Sequence, residues 1–239
     1  MAATPVNSSK SGYIATFALL AVVAAACWLS RPFPDTIVSK SVSVYPLSTR
    51  QRMNIEQAGR VLNGKVILPG ERFSFNGVVG PRTVARGYVA APAYVQTETL
   101  ATVGGGICLV SSCLYQLALE TGLRIDERSP HLRPVRTVAP GLDATVWYGQ
   151  TDLVFTNTTS SPLKIETVYD SDSLRLSLLG NRSQVPTYSL KSHQLASNDR
   201  ELSVEVLKED KSGKAIVVSH DIYQLPLRSK DPLKRRRRV

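Results

Sequence analysis

The chain has 239 residues, a hydrophobic fraction of 43% and a charged fraction of 20%, an ordinary composition for one large folded domain or two small ones. Its formal net charge is +10, but residues 234–238 supply five of those charges in one terminal run, so the rest of the chain is only mildly basic. No aromatic platform is interleaved with the basic residues, and we therefore expect no nucleic-acid partner.

The first 30 residues contain an apolar segment of 17 residues without a charge, Tyr13 to Leu29. This length lies between a signal-peptide core and a full membrane-spanning helix. We expect residues 1–30 to form a signal-anchor or transmembrane segment that contacts the membrane through residues 13–29. A cleaved signal peptide is the alternative, because Ala24 to Ala26 suit a cleavage site. In either case the rest of the chain would lie outside the cytoplasm.

The elements that follow are predicted from alternation, helical spacing and turn residues. Residues 31–45 combine a proline-broken linker with a first strand, and a helix then runs from a cap at Ser48 to a stop at Gly64. Beyond it we expect two short strands around the turn Pro69-Gly70, a glycine-rich loop and an extended segment (residues 66–68, 72–75, 76–87 and 88–97).

A second helix is predicted from Cys108 to Gly122, directly after three consecutive glycines. Its apolar residues recur at helical spacing, and Cys113 falls on that core stripe while Cys108 falls on the opposite side. The two thiols are about 140° apart around the helix, so we expect no disulfide between them. Because a helix N-terminus favours an anion such as a thiolate, Cys108 is the candidate nucleophile and Cys113 a buried small side chain.

From Arg124 onward the pattern becomes β. Four alternating segments predict an antiparallel meander with one wet face (residues 144–148, 152–156, 163–168 and 174–178). Two further strands, at 201–207 and 215–223, would either extend that sheet or form an appendage. The expected fold class is α+β, with an N-terminal membrane or signal helix followed by two helices packed on a mostly antiparallel sheet.

An ordered series of motifs resembles the VanW family over about residues 52–180. The motifs are Asn54-Ile55, Leu68 to Asn76, Val79-Gly80, Gly87-Tyr88, Gly104 to Cys108, Glu127 to His131, Gly141 to Val146 and Asp152 to Asn157. The resemblance implies a VanW-like domain at residues 46–180, which leaves a β-rich C-terminal extension at 181–233 and a basic tail at 234–239. It also implies a location at the bacterial cell membrane with the domain on the extracytoplasmic side. Some members of the family are described as peptidoglycan L,D-transpeptidases that use this cysteine.

The roles that follow are those of a cysteine acyltransferase acting on peptidoglycan peptides. The thiolate of Cys108 would attack a peptide carbonyl, and His131 would serve as general base. Asp143 or Asp152 would orient the histidine, and Asp143 ranks first because it follows a glycine turn.

Substrate binding is assigned to the glycine turn and to an arginine. Gly105 and Gly106 would contact the substrate, with backbone N–H groups from Gly106 onward as an oxyanion site. Arg82 or Arg128 would hold a substrate carboxylate. The sequence has no metal-ligand pattern, and we expect neither a metal nor another cofactor.

The chain departs from the family pattern at three positions. The family typically has glutamine after the cysteine where Leu109 stands, serine where Leu132 stands and an aromatic residue where Thr137 stands. A glutamine beside the nucleophile can donate to an oxyanion, so the alternative function is a non-catalytic envelope module that binds cell-wall peptides. The basic tail is either solvated or contacts anionic lipids or wall polymers through Arg235 to Arg238.

Overall fold

The computed structural model describes residues 32–95, 98–170 and 172–226. The segment expected to enter the membrane, residues 1–30, and the basic tail, residues 234–239, lie outside these ranges. None of the helices in the described ranges is both long enough and apolar enough to cross a membrane. The α+β class is confirmed, and every strand pair is antiparallel in the part of the chain that the structure describes.

Among the described residues, the strands form four sheets. The largest is ordered β1-β9-β8-β2 and consists of Asp35–Ser43 (β1), Ser173–Gly180 (β9), Leu163–Tyr169 (β8) and Val66–Ile67 (β2). A second is ordered β3-β7-β6, from Arg72–Ser74 (β3), Val154–Thr156 (β7) and Arg124–Glu127 (β6). Ala90–Val95 (β4) pairs with Glu98–Val103 (β5). The C-terminal sheet is ordered β10-β11-β12, from Ser189–Ser197 (β10), Glu201–Glu209 (β11) and Ala215–Gln224 (β12).

The helices are Thr49–Leu62 (α1), Phe75–Val79 (α2) and Cys108–Glu120 (α3), with a short 3-10 turn at Val84–Arg86. Ser48 caps α1 as predicted, and its hydroxyl and the Gln51 side chain form a reciprocal capping box. The apolar face of α1 packs against β8. The short helix α2, which begins at the end of the predicted strand, was not expected.

Helix α3 is buried on all sides from Leu109 to Leu119. Ser112 and Tyr115, predicted to lie away from the core stripe, are only 1% and 2% exposed. Residues 128–146 and the C-terminal sheet cover this side of the helix. Two serine hydroxyls of α3 form hydrogen bonds with the main chain of Ala144, and the Arg128 guanidinium lies over the Tyr115 ring. The helix therefore lies between two packed layers, and Cys108, Leu109 and Ser112 near its N-terminal end line a cavity.

The predicted meander is wrong in its connectivity. β7 pairs with β3 and β6, whereas β8 and β9 pair with each other and join β1 and β2. Residues 144–148 form no strand: the N–H and carbonyl of Ala144 bond Ser112 and Ser111, and only Trp147 makes an isolated bridge. Of the two alternatives for the C-terminal strands, the separate sheet is the one found, and it includes the unpredicted strand β10.

Candidate active site

Three glycines lead the chain into α3 through a turn that other residues rarely adopt. Gly104 and Gly106 have φ angles of +89° and +98°. Asn54 of α1, fully buried, holds this turn: its Nδ2 donates to Gly105 O at 3.0 Å, and its Oδ1 accepts the Val89 N–H at 2.8 Å. The Asn54-Ile55 motif had suggested no role for this side chain, because its partners are 35 and 51 residues away.

The two glycines expected to bind substrate occupy different positions. A Cβ on Gly105 would stand 2.3 Å from the carbonyl oxygen of Ala91, so this glycine is needed for the close approach of β4 and does not reach the cavity. Gly106 does line the cavity, and a Cβ there would meet Gln51 at 3.1 Å. The substrate-binding assignment therefore has a geometric basis at Gly106 and none at Gly105.

The first turn of α3 offers N–H groups to an anion. Within the described part of the chain, no side chain caps the helix at Ile107. The N–H groups of Leu109 and Val110 donate to carbonyls of the preceding turn, whereas those of Gly106 and Cys108 donate to no backbone carbonyl among the described residues. These two N–H groups are the candidate oxyanion donors, and the helix dipole adds to their positive potential.

Cys108 is half-buried and opens into a cavity of about 410 Å³. The cavity is walled by β4, β5, the glycine turn and residues 131–148, and Trp147 and Tyr148 stand at its rim with 41% and 50% of their surface exposed. Cys113 is completely buried, and burial raises the pKa of its thiol to about 12. Its predicted role as a buried side chain is confirmed.

The structure brings Cys108, His131 and Asp143 together. His131 Nδ1 lies 2.6 Å from Asp143 Oδ2, and Cys108 and His131 line the same cavity, where the thiol donates to Val146 O at 3.8 Å. The same carboxylate oxygen accepts the backbone N–H of His131 at 2.7 Å. Because Nδ1 is engaged with the carboxylate, Nε2 is the ring nitrogen that is left to exchange a proton with a group in the cavity. The order thiol, imidazole and buried carboxylate is that of a catalytic triad.

The protonation states follow from these contacts. Burial disfavours a charge on His131, but its hydrogen bond to the Asp143 carboxylate and the nearby sulfur of Cys108 raise its pKa to about 9. Burial acts in the opposite sense on Asp143, yet hydrogen bonds from His131 and Tyr223 hold the pKa of this carboxyl below its ordinary value. His131 is therefore an imidazolium at neutral pH, with Asp143 as its fixed counterion.

Asp152, the second candidate for the orienting carboxylate, forms hydrogen bonds at the start of α2 instead. Its Oδ2 accepts the Ser74 hydroxyl at 2.5 Å, and its Oδ1 accepts the backbone N–H groups of Asn76 and Leu153, both at 2.8 Å. These contacts fix the start of α2. Asp143 is therefore the carboxylate that contacts His131.

The two candidate arginines also differ. Arg82 lines the cavity, its guanidinium lies 5.4 Å from the Phe75 ring centre and 6.0 Å from that of Tyr148, and burial lowers its pKa. One of its terminal nitrogens donates to Gly80 O at 2.9 Å, and the other has no partner among the described residues. Arg82 therefore has one buried terminal nitrogen left to donate to an anionic group of a ligand.

Arg128, in contrast, lies behind Asp143 and not in the cavity. Its side chain is 6% exposed, and it forms ion pairs with Asp221 at 2.5 Å and with Asp143 at 3.2 Å. Its Nε donates to the Asp143 carbonyl at 2.7 Å, and its guanidinium lies over the ring of Tyr115. Because these contacts occupy its donors, Arg128 is placed to support Asp143 and not to bind a substrate carboxylate.

Comparison with known proteins identifies one matching family and two similar proteins. The family model described as VanW like protein matches residues 50–179. Uncharacterized protein YoaR of Bacillus subtilis (strain 168) is 40% identical over 142 residues, which cover 55% of this chain and 47% of that protein. Vancomycin B-type resistance protein VanW of Enterococcus faecalis (strain ATCC 700802 / V583) is 31% identical over 126 residues, or 51% of this chain and 46% of that protein. The chain thus spans about half the length of these curated relatives. No solved structure matches it.

Proposed function

The chain belongs to the VanW family, and from that premise we propose that it is a cell-envelope protein that acts on peptidoglycan stem peptides as a cysteine-dependent acyltransferase of the L,D-transpeptidase type. The observation that carries the proposal is that Cys108 and His131 line one cavity, with the buried Asp143 carboxylate bonded to His131. A nucleophile, a proton carrier and an orienting carboxylate are the parts that covalent acyl transfer requires. The name of the relative VanW, which refers to vancomycin resistance, agrees with an envelope role.

Acylation would begin from the ion pair of Cys108 thiolate and His131 imidazolium. The thiolate sulfur attacks the carbonyl carbon of the donor peptide, and the developing oxyanion is met by the N–H groups of Gly106 and Cys108. The carbon–nitrogen bond then breaks, the leaving amine takes the proton of the imidazolium, and a thioester forms on Cys108.

Deacylation would reverse the same proton path. The amine of a second stem peptide attacks the thioester carbon and gives a proton to the neutral His131. The carbon–sulfur bond breaks, which returns the thiolate and the imidazolium and completes a crosslink. Attack by water instead of the amine would give hydrolysis.

The cavity supplies the binding groups for a peptide with a free carboxylate. Arg82, whose second terminal nitrogen has no partner among the described residues, would pair with that carboxylate. The aromatic rim at Trp147 and Tyr148 would pack on the peptide backbone. We also propose that residues 13–29 act as the membrane anchor and that the domain works on the extracytoplasmic side.

The test is analysis of cell-wall fragments after expression of the wild type and of Cys108→Ala in a host that lacks other L,D-transpeptidases. The wild type should add crosslinks that Cys108→Ala does not add, while the control Cys113→Ala, which removes a thiol outside the cavity, should behave as the wild type. Mass spectrometry of the purified chain with a synthetic tetrapeptide donor should show an acyl adduct on Cys108 alone.

A binding module without catalysis is the second candidate, and Leu109 is the observation that favours it. This side chain lines the cavity beside Cys108, at the position where the family typically has glutamine. Equal crosslinking by the wild type and Cys108→Ala, together with binding of the tetrapeptide, would decide for this alternative.

A further inference from the structure

We propose that the C-terminal sheet, which lies beyond the family-matched residues 50–179, completes the candidate active site, and that Tyr223 is a positioning residue for Asp143. The inference rests on the proposed role of the Cys108–His131 pair but on no particular substrate. The family model does not extend to this sheet. The sequence left open whether the strand that carries Tyr223 would extend the main sheet or form an appendage.

Tyr223 is completely buried and contacts Asp143 directly. Its hydroxyl accepts the backbone N–H of Gly141 at 2.6 Å and donates to Asp143 Oδ1 at 2.5 Å. Because the N–H occupies the acceptor side of the hydroxyl, the phenolic proton is directed at the carboxylate. Burial and the adjacent carboxylate raise the pKa of Tyr223, which keeps the proton on the phenol. One oxygen of Asp143 thus faces Tyr223 and the other faces His131.

A second contact from the same strand acts through Arg128. Asp221 lies two residues before Tyr223, and side chains at this spacing share one face of a strand. It is 7% exposed and pairs with Arg128, which in turn reaches both the carboxylate and the carbonyl of Asp143. β12 therefore contributes a hydrogen-bond donor to Asp143 and a counterion to Arg128, the arginine that contacts Asp143.

The sheet also fixes the loop that carries His131 and Asp143. The Gln224 N–H donates to Leu132 O at 2.8 Å, next to the histidine, and Ser192 Oγ donates to Pro140 O at 2.6 Å. A Cβ on Gly141 would meet Val206 at 2.6 Å, so this glycine allows the loop to pack directly on β11. Residues 128–146 contain no helix or strand, and these contacts hold the loop where an element of secondary structure does not.

The test alters the phenol of Tyr223 in the full chain in two opposite directions. Tyr223→Phe removes the hydrogen-bond donor, and site-specific 3-fluorotyrosine at the same position makes it a stronger donor. Tyr169→Phe, in β8 of another sheet, is the matched control. Two quantities are measured: the titration midpoint of the Asp143 carboxyl carbon by carbon-13 NMR, and the rate of Cys108 alkylation by iodoacetamide near neutral pH.

Tyr223→Phe should raise the Asp143 midpoint by about one pH unit, because a hydrogen bond to the charged form is lost, and 3-fluorotyrosine should lower it. Alkylation of Cys108 should slow about three- to tenfold in Tyr223→Phe, because the carboxylate that orients His131 loses one of its hydrogen bonds. A purely structural role would lower the melting temperature without opposite shifts of the Asp143 midpoint in the two proteins.

An Asp143 midpoint that is unchanged in both proteins, or an alkylation rate equal to that of Tyr169→Phe, overturns the proposal. If Tyr223→Phe does not fold, the 3-fluorotyrosine protein decides alone through its downward shift. Neither measurement uses a peptide, so a failure of the transpeptidase assay together with these shifts would refute the proposed function and leave this inference standing.

Discussion

The two walls of the cavity that holds Cys108 are built by different means. The nucleophile wall, residues 104–110, is fixed by main-chain structure: a glycine turn, the start of α3 and the bonds from Asn54. The acid–base wall, residues 128–146, has no helix or strand and is held by buried side chains, several of them from the C-terminal sheet.

This difference predicts how substitutions in each wall destabilise the protein. A substitution in the nucleophile wall should destabilise the fold by steric overlap, because an added side chain there would meet close neighbours. A change on the acid–base wall should act through charge, because its side chains neutralise one another in surroundings with little water. Three variants test that contrast, and they are given in order of decreasing expected effect.

The largest effect is expected for Asp143→Asn on the acid–base wall. The substitution leaves Arg128 without one counterion and presents an amide to donors from Tyr223 and His131, so the free energy of unfolding should fall by about 3–5 kcal/mol. The control Asp152→Asn, in a partly exposed cap of α2, should cost about 1 kcal/mol. Urea unfolding near neutral pH measures both, and equal losses would contradict the contrast.

The next effect is a pH dependence carried by His131. Because its pKa is raised from 6.5 to about 9, the stability it contributes is fully present below pH 6.5 and is lost as the pH rises through about 9. That shift corresponds to about 3 kcal/mol. Between pH 6.5 and about 9, the free energy of unfolding should therefore fall by about 3 kcal/mol more in the wild type than in His131→Gln. The control His220→Gln replaces an exposed histidine and should show the same pH dependence as the wild type. Parallel curves for the wild type and His131→Gln would refute the assignment.

The smallest of the three effects is expected for Gly105→Ala on the nucleophile wall. A new Cβ would stand 2.3 Å from a backbone oxygen of β4, and overpacking of this kind costs ~1–3 kcal/mol. Gly59→Ala in α1 is the control, because its Cβ would meet neighbours at an ordinary 3.6 Å and alanine favours a helix. Thermal unfolding compares the two. If Gly105→Ala matches Gly59→Ala, the turn is not limited by steric fit.

The two walls also differ in how well their residues could be predicted from the sequence. The glycines, Cys108 and α3 are adjacent in the chain, so local spacing was sufficient to predict the nucleophile wall. His131 and Asp143 were paired with Cys108 after a family resemblance had pointed to a cysteine acyltransferase, and Asp143 was ranked first because it follows a glycine turn. Tyr223 and Asp221 left no local signal, because their partners are 80 and 93 residues away. Strand β10 was missed because most of its residues are exposed and it lacks apolar alternation.

Trp147, described above as part of the cavity rim, gives the protein an optical reporter of its own. It is one of two tryptophans in the chain, and the other, Trp28, lies in the apolar N-terminal segment. Trp147 exchanges backbone hydrogen bonds with Thr151 at 2.8 and 2.9 Å, which fixes its main chain while 41% of the residue stays exposed. An indole held in this way loses water contacts when a ligand fills the cavity, so a blue shift of its fluorescence would reveal occupancy without any label.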